Sequence, residues 1–237
     1  MGNLQQMRER WGLTEPLAPT DEQRQPADTI STFHFAEVIG QLMKADTVLA
    51  TGCSGLSTEI LQLSVPLPPD KDLICSWSLG SMGFGIPTAI GACIGSGRKN
   101  TICIEGDAGI QLSIAELSTI ESLALPVKLF VLNNSGMSSM RVSQQRWFGR
   151  KFGADEDSDL HLPALEKVAA AYDIPYVRLD GWVDLREQVK LVLETSGPVL
   201  CEVPTPPDEQ RPSQQQRTTG GWVPVTRMRE ATDNRVY

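Results

Sequence analysis

Two stretches decide the fold: TICIEGDAG at residues 101–109 and VKLFVLNN at residues 127–134. Each begins with apolar and β-branched residues, which predicts buried strands at 101–104 and 127–132, and each ends in polar residues. Between the strands, apolar residues recur at helical spacing, which predicts a connecting helix and hence a β-α-β unit. These residues are Leu112, Ile114, Leu117, Ile120 and Leu123.

Two polar side chains follow these strands directly. Asp107 and Asn134 lie 27 positions apart in the chain (134 − 107 = 27). Parallel strands joined by a helix bring their carboxyl ends to one edge of the sheet, where open α/β sheets bind ligands. A carboxylate and an amide oxygen suit a Mg2+ ion that takes further ligands from phosphate. Gly109, the glycine after Asp107, would let backbone N–H groups approach that phosphate, and the helix that starts nearby adds its positive end, so the pattern indicates a joint site for metal and diphosphate.

The rest of the chain alternates helices with short strands. This order predicts an α/β fold with a doubly wound, mostly parallel sheet flanked by helices. Helices are predicted at 33–43, from about 57, at 85–95, 162–172 and 182–194, and strands at 47–50, 176–179 and 199–203. We expect a polar, linker-like N-terminal arm at 1–31, one domain at 32–206 and a C-terminal tail at 207–237.

Charge and composition exclude several classes of function. The formal net charge of −8 and the pI near 4.9 argue against nucleic acid and anionic membranes as partners, since both require basic patches. No apolar run approaches the roughly 20 residues that span a bilayer. The five cysteines are widely spaced and contain no Cys-x-x-Cys pair, which predicts buried thiols and a cytoplasmic location.

The two stretches also carry a family resemblance, together with GSMGFGIPTAIGA at 80–92 and LPVK at 125–128. They resemble the C-terminal, diphosphate-binding (PP) domain of acetolactate synthase-like enzymes, which depend on thiamine diphosphate. The resemblance covers roughly residues 32–206. The segment NSGMSSMR at 134–141 is similar to a divergent branch of the family that is often found in sugar and natural-product biosynthesis.

The resemblance implies thiamine diphosphate and Mg2+ as cofactors. Asp107 and Asn134 would be the side-chain metal ligands, and the backbone carbonyl of Gly136 would be a third. Backbone N–H groups of two loops would bind the diphosphate. The cofactor-binding residues implied in this way are Cys53, Ser54, Gly55, Leu56, Gly80, Ser81, Met82, Gly106, Asp107, Ala108, Gly109, Asn134, Gly136 and Met137.

Two of these residues would act directly on the rings of the cofactor. The carbonyl of Gly80 would accept a hydrogen bond from the exocyclic amine, and Met82 would wedge between the rings to hold the cofactor bent. Met137 would close the site near the thiazolium ring. Arg141 and Arg146 are interpreted as surface charges, with a contact to a substrate carboxylate or to a partner as the alternative.

The resemblance also implies a partner. Family enzymes carry the catalytic glutamate on a separate pyrimidine-binding domain, and no glutamate here matches it; Glu59 and Glu116 are poor candidates. We therefore expect the diphosphate-binding subunit of a split enzyme. A second chain would supply the pyrimidine-binding domain and the catalytic glutamate, with two copies of each chain as one possible assembly.

The reaction implied is decarboxylation of a 2-oxo acid such as pyruvate, with transfer of the acyl anion equivalent to an acceptor carbonyl. Three alternatives stay open. One is a two-subunit decarboxylase of the phosphonopyruvate or sulfopyruvate type, which performs no carboligation. Another is the β-subunit of a ferredoxin-linked oxoacid oxidoreductase, disfavoured because clustered cysteines are missing. The third is a non-catalytic remnant, against which the intact Asp107 and Asn134 argue.

Overall fold

The computed structural model describes residues 28–53, 55–67, 73–76, 79–207, 209, 215–218 and 221–224, without the side chains of Leu56, Leu63 and the last two segments. Strands of a central sheet are β1 Val48–Thr51, β2 Leu73–Cys75, β3 Thr101–Gly106, β4 Val127–Asn133, β5 Tyr176–Arg178 and β6 Val199–Pro204. Their order is β2-β1-β3-β4-β6-β5, and every pair is parallel. A separate antiparallel hairpin joins β7 Gln215–Thr218 to β8 Gly221–Pro224.

Helices connect the strands and cover both faces of the sheet. The α-helices are α1 Thr32–Leu42, α2 Leu56–Ser64, α3 Gly85–Gly95, α4 Asp107–Ile110, α5 Leu117–Ser122, α6 Ser138–Phe148, α7 Leu165–Ala171 and α8 Leu185–Glu194. Helices α1, α2 and α8 pack on one face, whereas α3, α5 and α7 pack on the other. The predicted α/β fold with a doubly wound parallel sheet is confirmed.

The core has two layers because successive strand residues point to opposite faces. In β4, Phe130 and Leu132 belong to the cluster under α1 and α8, whereas Leu129 and Val131 belong to the cluster under α3 and α7. Phe130 packs against Phe35 of α1, with ring centroids 5.4 Å apart. Burial on both faces explains why these strands are continuous apolar runs rather than alternating ones.

The predicted central helix is broken into three pieces. A 3-10 helix, Gln111–Glu116, separates α4 from α5, and Ser113 inside it has a non-helical φ of −134°. Leu117 and Ile120 are buried as expected, but Leu112 and Leu123 are exposed. The apolar spacing predicts one continuous helix. In the structure only its second half is an α-helix whose apolar residues are buried in the core.

Other boundaries moved by a few residues, and several elements were not predicted, among them β2, α6 and the hairpin strands β7 and β8. Helix α7 begins three residues late because Leu162 precedes Pro163, which disfavours helical backbone before it. Helix α8 also begins later than expected, after Asp184 with a φ of 54°. Strand β2 has only three residues, and α6 lacks an apolar stripe, so neither carries the periodicity by which elements are recognised.

All five cysteines are free; Cys93, Cys103 and Cys201 are buried, whereas Cys53 and Cys75 are partly exposed. The prediction of buried thiols is therefore confirmed for three of them. Among the helices in the described ranges, none combines the length and apolarity required to cross a membrane.

Candidate functional site

The site is built where β3 and β4 end. Their register pairs Gly106 with Leu132, so the residues that follow these strands leave the sheet side by side. Asp107 opens α4, and Asn134 begins the loop to α6. The backbone N–H of Gly136 donates to Oδ2 of Asp107 over 2.7 Å. The three residues proposed from sequence as metal ligands thus lie together at one edge of the sheet.

Asn134 is held in place through its amide nitrogen. Its amide Nδ2 donates to the hydroxyls of Ser57 (3.0 Å) and Ser138 (3.3 Å), which fixes the orientation of the group. Its Oδ1 is buried and has no hydrogen-bond partner in the described part of the chain. A buried acceptor without a donor is costly, and such exceptions in native proteins require an explanation. A cation ligated by Oδ1 would supply one.

Asp107 is a buried carboxylate that forms no ion pair with a basic side chain in the part of the chain that the structure describes. Burial raises its pKa to about 6, although hydrogen bonds from the N–H groups of Gly136 and Ala108 and the charge of Arg141 oppose this rise. The Ala108 N–H donates to Oδ1 over 2.8 Å. A carboxylate that is costly to ionise is a frequent feature of functional sites, and a bound cation would favour its charged form.

Glu105, two residues earlier, is also buried, and sequence reasoning gave it no role. Its carboxylate accepts hydrogen bonds from the N–H of Gly85, at the start of α3, and from the N–H of Gly106, both over 3.0 Å. Burial raises its pKa to about 7. A β-carbon on Gly52 would lie 2.1 Å from Oε2 of Glu105, so the carboxylate fills the space between β1 and α3. Glu105 therefore holds together the loop after β1, the start of α3 and the end of β3, which surround the site.

Two further loops converge on the same edge. Cys53, after β1, donates its thiol to the carbonyl of Ser76 after β2 over 3.2 Å. In the loop before α3, Gly83 has a φ of 75°, and a β-carbon there would lie 2.7 Å from Cβ of Leu112 and 3.0 Å from the carbonyl of Gly109. Only glycine allows this close approach. The loops after β1, β2 and β3 are thereby fastened to one another.

The remaining residues proposed from sequence line these loops. Met82 and Met137 are half-buried, and Gly80 and Ser81 are exposed. Gly55 lies against the side chain of Ser139 in α6. Ser54 and the side chain of Leu56 lie outside the described residues. Buried positions in the set are Gly106, Ala108, Gly109 and Gly136, beside Asp107 and Asn134.

The structure corrects the interpretation of Arg141, which sequence reasoning read as a surface charge. Arg141 is 5% exposed and lies inside the site, whereas Arg146 is exposed as predicted. The serines that orient Asn134, Ser57 and Ser138, were also missed. Ser138 lies four residues after Asn134, a spacing that can bring two side chains together at the start of a helix. This spacing could have indicated the contact only if the start of α6 at Ser138 had been predicted.

A cleft of about 380 Å³ extends from Asp107 past Asn133, at the end of β4, to Glu202 in β6 and Tyr176, the first residue of β5. The carboxylate of Glu202 lies in its wall and accepts hydrogen bonds from Asn133 Nδ2 (2.8 Å) and the hydroxyl of Tyr176 (2.6 Å). Burial and this carboxylate raise the pKa of Tyr176. Both carboxylate oxygens of Glu202 therefore have hydrogen-bond donors within the wall of the cleft. We infer that this network fixes the shape of the cleft rather than binding a ligand.

Comparison with known proteins agrees with this geometry. Residues 50–203 match the family described as thiamine pyrophosphate enzyme, C-terminal TPP binding domain. Similar proteins include acetolactate synthase 1, chloroplastic, of Zea mays, which is 29% identical over 187 residues, covering 77% of this chain and 29% of that protein. The acetolactate synthase large subunit of Lactococcus lactis is 29% identical over 185 residues, covering 78% of this chain and 30% of that protein.

A third relative, the acetolactate synthase large subunit of Cyanidium caldarium, is 33% identical over 129 residues, covering 54% of this chain and 22% of that protein. The matched part of the chain thus corresponds to between 22% and 30% of the length of these relatives. The family match includes β3, β4 and the loops that carry Asp107 and Asn134. The chain belongs to the thiamine pyrophosphate enzymes, and residues 50–203 are its C-terminal TPP-binding domain.

Proposed function

We propose that this domain binds thiamine diphosphate together with Mg2+ at the carboxyl edge of β3 and β4. The observation that carries the proposal is the buried Oδ1 of Asn134, which has no hydrogen-bond partner among the described residues, beside the buried carboxylate of Asp107, whose pKa is raised. These two oxygens and the carbonyl of Gly136 are hard donors of the kind that Mg2+ takes alongside phosphate oxygens. The N–H groups of Ala108 and Gly109, at the start of α4, would face the diphosphate, and the Ala108 N–H would then give up its hydrogen bond to Asp107.

The rings of the cofactor would lie over the loops after β1 and β2. The Gly80 carbonyl would accept a hydrogen bond from the exocyclic amine, and Met82 would hold the two rings apart. Met137 would close the site near the thiazolium ring. When bound, the cofactor supplies an electron sink for decarboxylation next to a carbonyl. The contribution of this chain is to bind the diphosphate, to orient the rings and to keep water from the buried side.

The proposed reaction is decarboxylation of a 2-oxo acid, with pyruvate as the expected substrate, followed by transfer to an acceptor carbonyl. It is supported by the similarity to proteins named acetolactate synthase. We further propose that a second chain supplies a pyrimidine-binding domain with the catalytic glutamate, in an assembly with two copies of each chain. Within the described residues, Glu105 is unsuited to that role because its carboxylate is fully buried between β1 and α3, against Gly52 and Gly85.

Exposed apolar side chains beside the cofactor loops support such a partner. Leu79 is 85% exposed, Leu112 is 67% exposed and Phe84 is 51% exposed. Gly83 packs against Leu112, so the loop that carries Leu79 and Phe84 adjoins the segment that carries Leu112. Clustered large apolar side chains of this kind are typical of protein–protein contact sites.

Calorimetry tests the binding proposal. We expect the wild-type chain to bind thiamine diphosphate with Mg2+, either alone or in the presence of the pyrimidine-binding chain. Asp107→Ala should lose at least about tenfold in metal-dependent affinity, because even partners beyond the direct ligands cost that much. Asp157→Ala is the matched control, since the Asp157 side chain is 90% exposed. Absence of binding by the wild type with and without the partner would refute the proposal.

Product analysis tests the reaction and the partner. The chain should release CO2 from pyruvate only with a second chain that carries the catalytic glutamate. Adding an aldehyde or a second 2-oxo acid should then give a carboligation product. CO2 release without such a product would favour the two-subunit decarboxylase, and full turnover by the chain alone would rule out the split arrangement.

A further inference from the structure

The loop that carries two of the proposed metal ligands has an unusual backbone. We call residues 134–137, between β4 and α6, the metal loop. Ser135 has a φ of 61° and Gly136 a φ of 130°, so two successive residues lie in the region that side chains disfavour. A β-carbon on Gly136 would lie 2.4 Å from the carbonyl of Ala154. Such a conformation persists only where surrounding contacts fix it.

Arg141 makes several of those contacts. Its Nη2 donates to the carbonyl of Asn134 over 2.9 Å, and its Nη1 donates to the carbonyl of Ser135 over 3.1 Å. Nη2 also donates to the carbonyl of Pro207, in the segment after β6. One buried guanidinium thus connects two carbonyls of the metal loop to a third segment of the chain.

The same segment after β6 is fastened at two more points. The N–H of Thr205 donates to the carbonyl of Asn133 over 2.8 Å, directly before the metal loop. The carboxylate of Glu209 accepts hydrogen bonds from the hydroxyl of Ser31 and the N–H of Thr32, at the start of α1. Arg141 therefore holds the metal loop against a segment that is itself attached to the sheet and to α1.

We infer that Arg141 is a positioning residue for the metal loop, which sets Mg2+ affinity without contacting the metal. This inference rests on the proposed function of the site. The planar guanidinium offers several N–H donors in fixed directions, and a lysine could reach fewer of these carbonyls at once. The hydrogen bonds of Arg141 therefore hold the backbone carbonyls of two of the four residues of the metal loop.

The test compares Arg141→Met, Arg141→Lys and, as matched control, Arg146→Met. Arg146 lies on the same helix, is exposed and stacks on the ring of Trp147, its neighbour in sequence. Mg2+ is titrated by calorimetry at saturating thiamine diphosphate, well below the unfolding temperature, with the pyrimidine-binding chain present if binding requires it. Thermal unfolding without cofactor is measured separately for each variant.

We expect Arg141→Met to weaken Mg2+ binding by about 10- to 100-fold, the range typical of residues that support metal ligands. Arg141→Lys should recover part of that loss, and Arg146→Met should stay within twofold of the wild type. A purely structural role would lower the unfolding temperature and leave the affinity of the folded protein unchanged. An Mg2+ affinity of Arg141→Met within twofold of the wild type overturns the inference.

Two further outcomes are also decisive. If Arg141→Met does not fold, Arg141→Lys decides alone: a loss of threefold or more supports the inference, and an unchanged affinity overturns it. If the wild type shows no Mg2+-dependent binding of thiamine diphosphate, the proposed function fails and this inference fails with it. Normal wild-type binding with unaffected Arg141 variants overturns the inference only and leaves the proposed function intact.

Discussion

Replacing Asp107 by asparagine should stabilise the metal-free protein while removing metal binding. The side chain is buried, and its pKa rises from an ordinary value of 3.8 to about 6 because burial disfavours the charged form. At about 1.4 kcal/mol for each pH unit, this rise corresponds to about 3 kcal/mol of destabilisation once the carboxylate is ionised. Asparagine avoids that cost because it carries no charge.

The substitution Asp107→Asn also removes one hydrogen bond. The two carboxylate oxygens accept hydrogen bonds from the N–H groups of Ala108 and Gly136, and an amide has only one acceptor oxygen. The lost hydrogen bond costs about 1 kcal/mol, so Asp107→Asn should gain about 2 kcal/mol at pH 8. With a slope near 3 kcal/mol per molar, the urea midpoint would rise by roughly 0.7 M.

The sign of this effect depends on pH. The folded protein binds the Asp107 proton more tightly than the unfolded chain does, so the wild type loses stability as pH rises between 3.8 and about 6. Above that window the advantage of Asp107→Asn is complete, and below it the advantage disappears. Glu105, whose pKa is also raised, is present in both proteins and cancels from the comparison if the two carboxyls titrate independently.

Urea unfolding at pH 4, 6 and 8 in EDTA measures the difference, with Asp157→Asn as the exposed control. Addition of Mg2+ and thiamine diphosphate should then stabilise the wild type and leave Asp107→Asn unchanged, which reverses their order. A variant less stable than the wild type at pH 8 in EDTA would refute the reasoning that the carboxylate is held at a cost in the absence of a cation.

Three other substitutions test the scaffold, each by urea unfolding at pH 7. Lys128→Met should lower stability by about 1–3 kcal/mol, because Lys128 Nζ is buried and donates to the carbonyls of Thr195 and Gly197; no change would show that these carbonyls find other donors. Phe130→Ala should lower it by about 3–5 kcal/mol through the cavity left beside Phe35, and a loss under 1 kcal/mol would contradict the close packing described. Glu209→Ala should cost about 1 kcal/mol by removing the cap from α1, whereas an unaffected midpoint would mean that the segment after β6 does not hold α1.

The predictions from sequence were correct where a local pattern of residues is compatible with only one type of secondary structure. Buried parallel strands are apolar on both faces, so β3, β4 and β6 stand out as short apolar runs whatever surrounds them. Helix α3 has the predicted bounds because small apolar residues fill it from end to end. Elements without a buried stripe, such as α6, gave no such signal.

Local patterns identified the α/β class, the β-α-β unit and the placement of Asp107 and Asn134 after neighbouring strands, since strand composition and connection length are local properties. Long-range packing was needed to show that the Asn134 oxygen lacks a donor among the described residues, that Glu105 is buried beneath the site and that Arg141 faces inward. Each of these depends on segments far apart in the chain, such as the contact between Arg141 and the carbonyl of Pro207. A charge is solvated or buried according to what packs over it, and no local pattern around Arg141 specifies that.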